Sequence, residues 1–170
     1  MTLSRKSTLT AFAFLLLACL SCQSRKEPIA LIQKQLKQDG IALDKMEADY
    51  QPRLQNNFLW CDSMLQYVPE AYIDEYFDVL NLAQAYLQQF DAVLPVMRHD
   101  MVYIQQQLAN LQNDLDSHYI SDSLGMVYLN DERASADTLH NRVLYFQDRL
   151  STQDKALRSL KKSIRKVASK

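Results

Sequence analysis

The sequence predicts an all-α fold, a long antiparallel helical hairpin inside a three-helix, coiled-coil-like bundle. Three observations carry this. Apolar residues recur at alternating spacings of three and four from Ile73 to Leu115, the seam of a coiled coil or long bundle helix. A second run at helical spacing joins Leu139, Val143, Phe146, Leu150, Gln153, Leu157, Leu160, Ile164 and Val167. The chain of 170 residues holds only 2 Gly and 4 Pro, too few for a sheet protein with many turns.

The elements follow in order. The spacing predicts helices over 29–67, 70–116 and 122–168. In the first, Ile29, Ile32, Leu36, Leu43, Met46 and Tyr50 share a face. Gly40 and Pro52 disturb it, and Leu54, Phe58, Cys61, Leu65 and Val68 resume it in a new phase. Pro69 suits the first turn of the second helix, where Glu70, Asp74 and Glu75 set negative charge at the positive dipole end. Pro95 falls inside that helix while the seam keeps phase on both sides, which predicts a kink and not a break. Asp116 to Ser123 reads as a turn, with Ser121 or Asp122 as the next N-cap. Two later helices of similar length joined by a short turn favour an antiparallel pair, with the first helix lying along it.

The N-terminus carries a different signal. Arg5 and Lys6 precede an apolar run from Leu9 to Ala18, followed by small residues and cysteines. Ten helical residues reach ~15 Å, half of a bilayer core, so the run suits export and is too short to span. Leu16-Leu17-Ala18-Cys19 puts an aliphatic residue at minus three and a small one at minus one before a cysteine. This resembles the lipobox of bacterial lipoproteins. The resemblance implies a signal peptide over 1–18, cleaved before Cys19, whose thiol takes diacylglycerol and whose new amino group takes a palmitate-type acyl chain. Leu20-Ser21-Cys22 is the alternative site; Cys19 then sits at the aliphatic position, but the polar stretch from Gln23 to Pro28 starts at once. Residues 19–28 are the expected tether, and 29–170 the body. The resemblance covers about an eighth of the chain and specifies processing, not activity; several acyl chains at ~0.8 kcal/mol per buried methylene make a lasting membrane anchor.

Charge adds a pairing. From Asp62 to Glu132 there are twelve acidic residues and one basic one, Arg98; from Lys155 to Lys170 there are seven basic residues and no acidic one. A hairpin turning near residue 119 sets Lys161 to Arg165 beside Asp74 to Asp78, and opposite charges are expected to meet there. The competing reading leaves Lys161, Lys162, Arg165, Lys166 and Lys170 as an interaction surface for anionic headgroups, lipopolysaccharide or a protein partner.

Other residues point to structure more than chemistry. His99, His118 and His140 are scattered, and the seam turns His99 outward and His140 beside the core, so no metal site is expected. Cys61 reads as a small buried apolar residue. Tyr67, Tyr72, Tyr76, Tyr86 and Tyr103, with Phe58 and Trp60, read as core or core edge. No phosphate-binding Gly loop, Ser-centred elbow or HExxH is present, and the carboxylates form a solvated face.

The expectation is therefore a non-enzymatic cell-envelope lipoprotein with no cofactor, no small-molecule substrate and no nucleic acid. Its partners are the membrane, through the lipid, and an envelope protein, with the body facing the periplasm or cell surface. Near-neutral charge and an exported address both argue against nucleic acid. Two alternatives stay open. Long hairpins are similar to those of the prefoldin-like periplasmic chaperones, which grip unfolded clients. A C-terminal Lys170 on a lipidated helical body resembles the murein lipoproteins, whose terminal lysine is joined to peptidoglycan.

Overall fold

The computed structural model describes residues 27–168, all but a few of them helical and none in a strand. The expected signal peptide, Cys19, Cys22, most of the tether and Lys170 lie outside the described residues. Helix α1 covers 27–45, so Glu27 and Pro28, assigned to the tether by sequence, are already helical. Proline is tolerated in a first turn, where its missing N–H has no intrahelical partner.

A π-helical turn, Met46–Tyr50, joins α1 to α2 (Gln51–Met64). The Gln51 N–H donates to the Met46 carbonyl, five residues back. The cause lies one residue on. Pro52 has no N–H to offer the Ala48 carbonyl, and its ring would crowd that oxygen in a regular helix. Widening the preceding turn admits the ring and inserts one residue. This is the phase change read in the sequence: Leu43 and Met46 are fully buried, Tyr50 is half-buried, and Leu54 restores full burial.

Short 3-10 turns, Leu65–Tyr67 and Glu70–Tyr72, flank Pro69 and reverse the chain into α3 (Ile73–Asp116). α3 runs unbroken through Pro95, and every seam position from Tyr76 to Leu111 is buried. Pro95 itself is exposed, so nothing packs on its ring to offset the lost hydrogen bond. Pro95→Ala is therefore expected to stabilise the fold by about 2 kcal/mol, an interior proline's ~3 less the entropy it removes from the unfolded chain. Urea titration checks the sign.

The turn after α3 is a Schellman motif. The Tyr119 N–H donates to Asp114 O at 2.9 Å and the His118 N–H to Leu115 O at 3.3 Å. His118 holds the left-handed conformation this needs, at φ 57°. Ser121 then caps α4 (Asp122–Ala168): its Oγ accepts from the Leu124 N–H at 3.4 Å. Gly125 is buried against Leu115, where a Cβ would come within 2.5 Å of the leucine methyl, so glycine lets the two helices start close together.

Cross-helix contacts set the register. Asp100–Arg142 and Phe90–Phe146 run in opposite directions along α3 and α4, making the expected antiparallel hairpin. Gln35–Asp137, Asp39–His140 and Arg53–Asp154 run in the same direction, so α1 and α2 lie parallel to α4 at an offset of about one hundred residues. Arg98 of α3 closes the third side on Asp44 at 2.9 Å and Glu47 at 2.6 Å. The ends of the bundle follow. Residue 27 lies near the level of residue 128, beside the α3–α4 turn, while the α2–α3 turn and the C-terminal end of α4 share the opposite end.

Candidate interaction surface on α2 and α4

The basic C-terminal segment does not meet α3 as its charge pattern suggests. Lys161 and Arg165 turn instead toward α2, and among the described residues no ion pair joins them to Asp74 or Asp78. The reason is local. Trp60 of α2 presents its ring to that side, with the Lys161 ammonium 4.7 Å and the Arg165 guanidinium 5.2 Å from its centroid. A tryptophan face attracts a cation by ~0.5–1 kcal/mol even at an exposed site, as much as an exposed ion pair gives.

About two turns before Lys161, Asp154 organises the row. Its side chain is only 2% exposed and accepts from Arg53 Nε at 3.1 Å and Arg158 at 3.0 Å, both on the same oxygen. Its other oxygen accepts from Asn57 Nδ2 at 3.3 Å. Asn57 Oδ1 in turn accepts from Lys161 Nζ at 3.4 Å. The two arginines stay 45% and 55% exposed, so the buried carboxylate holds one N–H of each guanidinium while the other donors stay open to solvent. Arg158, Lys161, Lys162 and Arg165 fall at i, i+3, i+4 and i+7 and share one face of α4. Lys162, Arg165 and Lys166 are exposed and Lys161 is half-buried; Lys170 lies outside the described residues.

The sequence singled out the lysines and arginines of α4 but not their supports, Arg53, Asn57 and Asp154. Only the parallel register of α2 brings these together. One signal was present: Asp154 sits beside seam residue Gln153 and four residues before Arg158, an acidic side chain at the edge of an apolar stripe.

Cys61 packs beneath this surface, fully buried, its thiol 3.7 Å from the Leu157 carbonyl. Burial pushes the thiol up to about 11, against a smaller opposing pull from Lys161. The sign follows: its contribution to stability is whole below the unfolded value of 9.0 and is lost as pH rises toward 11. Folded protein at pH 8 is expected to resist iodoacetamide and to react at the normal rate in urea, which mass spectrometry of the alkylated chain reads.

The remaining candidates separate. His99 is 81% exposed on the outside of α3, whereas His140 bonds Asp39 of α1 at 2.7 Å, so the two do not converge. His118 is exposed in the α3–α4 turn. Among the described residues no group of His, Cys, Asp and Glu is placed to hold a metal ion. Tyr76 is buried, and Phe58, Trp60 and Tyr86 are half-buried; Tyr67, Tyr72 and Tyr103 are exposed. A groove of about 220 Å³ between α3 and α4 is bordered by Asn110, Asp114, Tyr128 and Glu132, below the ~300 Å³ usual for drug-sized ligands. Burial, and then the Asp131 charge, raise the Glu132 carboxyl above its usual 4.5. The α3–α4 turn end also exposes Tyr119, Leu124, Met126, Val127 and Tyr128.

No helix among the described residues is long and apolar enough to cross a membrane. No protein-family model matches the chain, and comparison with curated proteins and with solved structures returned no match.

Proposed function

We propose that this chain is a lipid-anchored, non-enzymatic scaffold or adaptor of the cell envelope, attached through Cys19 or Cys22 and presenting its basic face away from the membrane. One observation carries the reading: Glu27, eight residues after Cys19, lies toward one end of the bundle, and the basic row lies toward the other. Residue 27 is level with residue 128 or so. The 33 residues from there to Lys161 correspond to roughly 50 Å of helix. From Cys19 to Glu27 the chain spans at most ~29 Å, so an anchor there holds the α3–α4 turn end near the lipid, and a rod standing off the surface carries the basic row ~50 Å further out.

Fractionation tests this. Wild-type protein is expected to pellet with envelope membranes and to resist high salt and carbonate. The Cys19→Ala/Cys22→Ala double variant is expected to be released. Equal release of both proteins overturns the anchored reading.

A second reading, a holdase for unfolded clients, is favoured by the apolar residues of the α3–α4 turn, where Tyr119 is 80% exposed. Suppression of client aggregation by wild-type protein, lost on Tyr119→Ser/Val127→Ser, supports the holdase; its absence supports the scaffold.

A further inference from the structure

We infer that the α2–α4 face is a binding site for a linear, phosphate-bearing polyanion, which lies along α4 across Arg53, Arg158, Lys161, Lys162 and Arg165. This deepens the adaptor reading and rests on its choice of contact face.

Three features separate this face from an ordinary solvated charge run. The first is fixation. Arg53 and Arg158 share one oxygen of a carboxylate that is 2% exposed, and Lys161 and Arg165 are steered by Trp60 and Asn57. Side chains held this way lose less rotamer entropy on meeting a ligand than free surface lysines do. The second is imbalance. Of the five cations only Arg53 and Arg158 meet a carboxylate, which they share, and among the described residues Lys161, Lys162 and Arg165 make no ion pair, with Asp74 and Asp78 of α3 or otherwise. Like charges held together repel, and a partner that neutralises several at once relieves this and releases its own counterions.

The third is direction. Arg158, Lys161 and Arg165 rise along the helix axis by ~4.5 and ~6 Å, so the charges form a line along the rod and not a cap on its end. A chain with phosphates at short, regular intervals meets each of them, whereas a single phosphate meets one or two. Guanidinium forks suit phosphate oxygens and the lysine ammonium serves as a point charge between them. The position, roughly 50 Å from the tether end, favours a polymer over the headgroups of the anchoring membrane.

The chain provides its own reporter. Its 1 tryptophan is Trp60, in contact with two of the cations, so its emission reads this site alone. The experiment uses the full chain purified in neutral detergent and fluorescently labelled inorganic polyphosphate, with anisotropy as a second readout. Saturable binding at 0.05 M salt is expected, with a shift in Trp60 emission. Affinity should fall about fifty-fold at 0.2 M salt, the slope for roughly four phosphates neutralised. Lys161→Gln/Arg165→Gln is expected to weaken binding at least tenfold with unchanged helical circular dichroism at the assay temperature. Lys34→Gln/Lys37→Gln, on exposed positions of α1, should leave it unchanged.

No binding at low salt overturns the inference, as does an equal loss in the α1 variant. Competition by monomeric phosphate at matched phosphate concentration overturns the polymer. Equally tight binding to phosphatidylglycerol vesicles through the same residues reassigns the face to a membrane surface. A chain that carries no acyl group yet binds polyphosphate keeps this inference and removes the anchored reading.

Discussion

Phe146→Ala is expected to lower the unfolding free energy by about 3–5 kcal/mol, the largest effect of any single substitution considered. Phe146 is 2% exposed and packs against Phe90, itself fully buried, with ring centroids 5.6 Å apart and planes tilted by 58°. Tyr145 adds an edge contact at 5.2 Å. The pair joins α3 to α4 in the middle of the hairpin, where both backbones are held by long seams on either side. The helices cannot close on the void, so the cavity cost adds to the lost transfer energy. Phe146→Leu keeps most of the volume and should cost well under half as much. Urea titration followed by circular dichroism, at constant slope, measures both. An alanine variant that loses less than about 1 kcal/mol would contradict the register that opposes Phe90 to Phe146.

His140→Leu is expected to cost about 3 kcal/mol by leaving the Asp39 carboxylate buried without its partner. The Asp39 side chain is 4% exposed; its Oδ1 is 2.7 Å from His140 Nδ1, and Oδ2 has no hydrogen-bond partner among the described residues. His140 is 38% exposed and gives up little by leaving, so the penalty falls on Asp39. The double variant Asp39→Leu/His140→Leu should recover most of the loss, since Asp39 shares its buried face of α1 with Leu36 and Leu43, three residues before it and four after. A double-mutant cycle reads the coupling. Coupling below about 0.5 kcal/mol would mean that α1 does not lie along α4 at this offset.

Much of the fold was legible because it is written in periodicity. Seam residues from Tyr76 to Leu111 and from Leu139 to Ile164 are the buried ones, and the break near Pro52 was visible as a change of phase. What a single chain's pattern does not encode is which neighbour a flanking residue meets. Lys161 and Asp74 lie at similar heights in the hairpin, but the cation chose the Trp60 ring on the third helix. Asp39 and Asp154 were hidden for a related reason: each is an acidic residue beside an apolar stripe, and only contact with His140 or with Arg53 makes its burial tolerable. The left-handed His118 was likewise unreadable, because that conformation belongs more often to glycine.

The proposed function holds a helical rod to lipid by an N-terminal cysteine, with its basic face toward the far end. Intact-mass and peptide mass spectrometry of the mature protein, taken from envelope membranes, tests it most directly. The expected N-terminal peptide begins at Cys19, or at Cys22 in the alternative, and carries diacylglycerol on its thiol. A mature chain that retains residues 1–18, or one with both thiols unmodified, would contradict it.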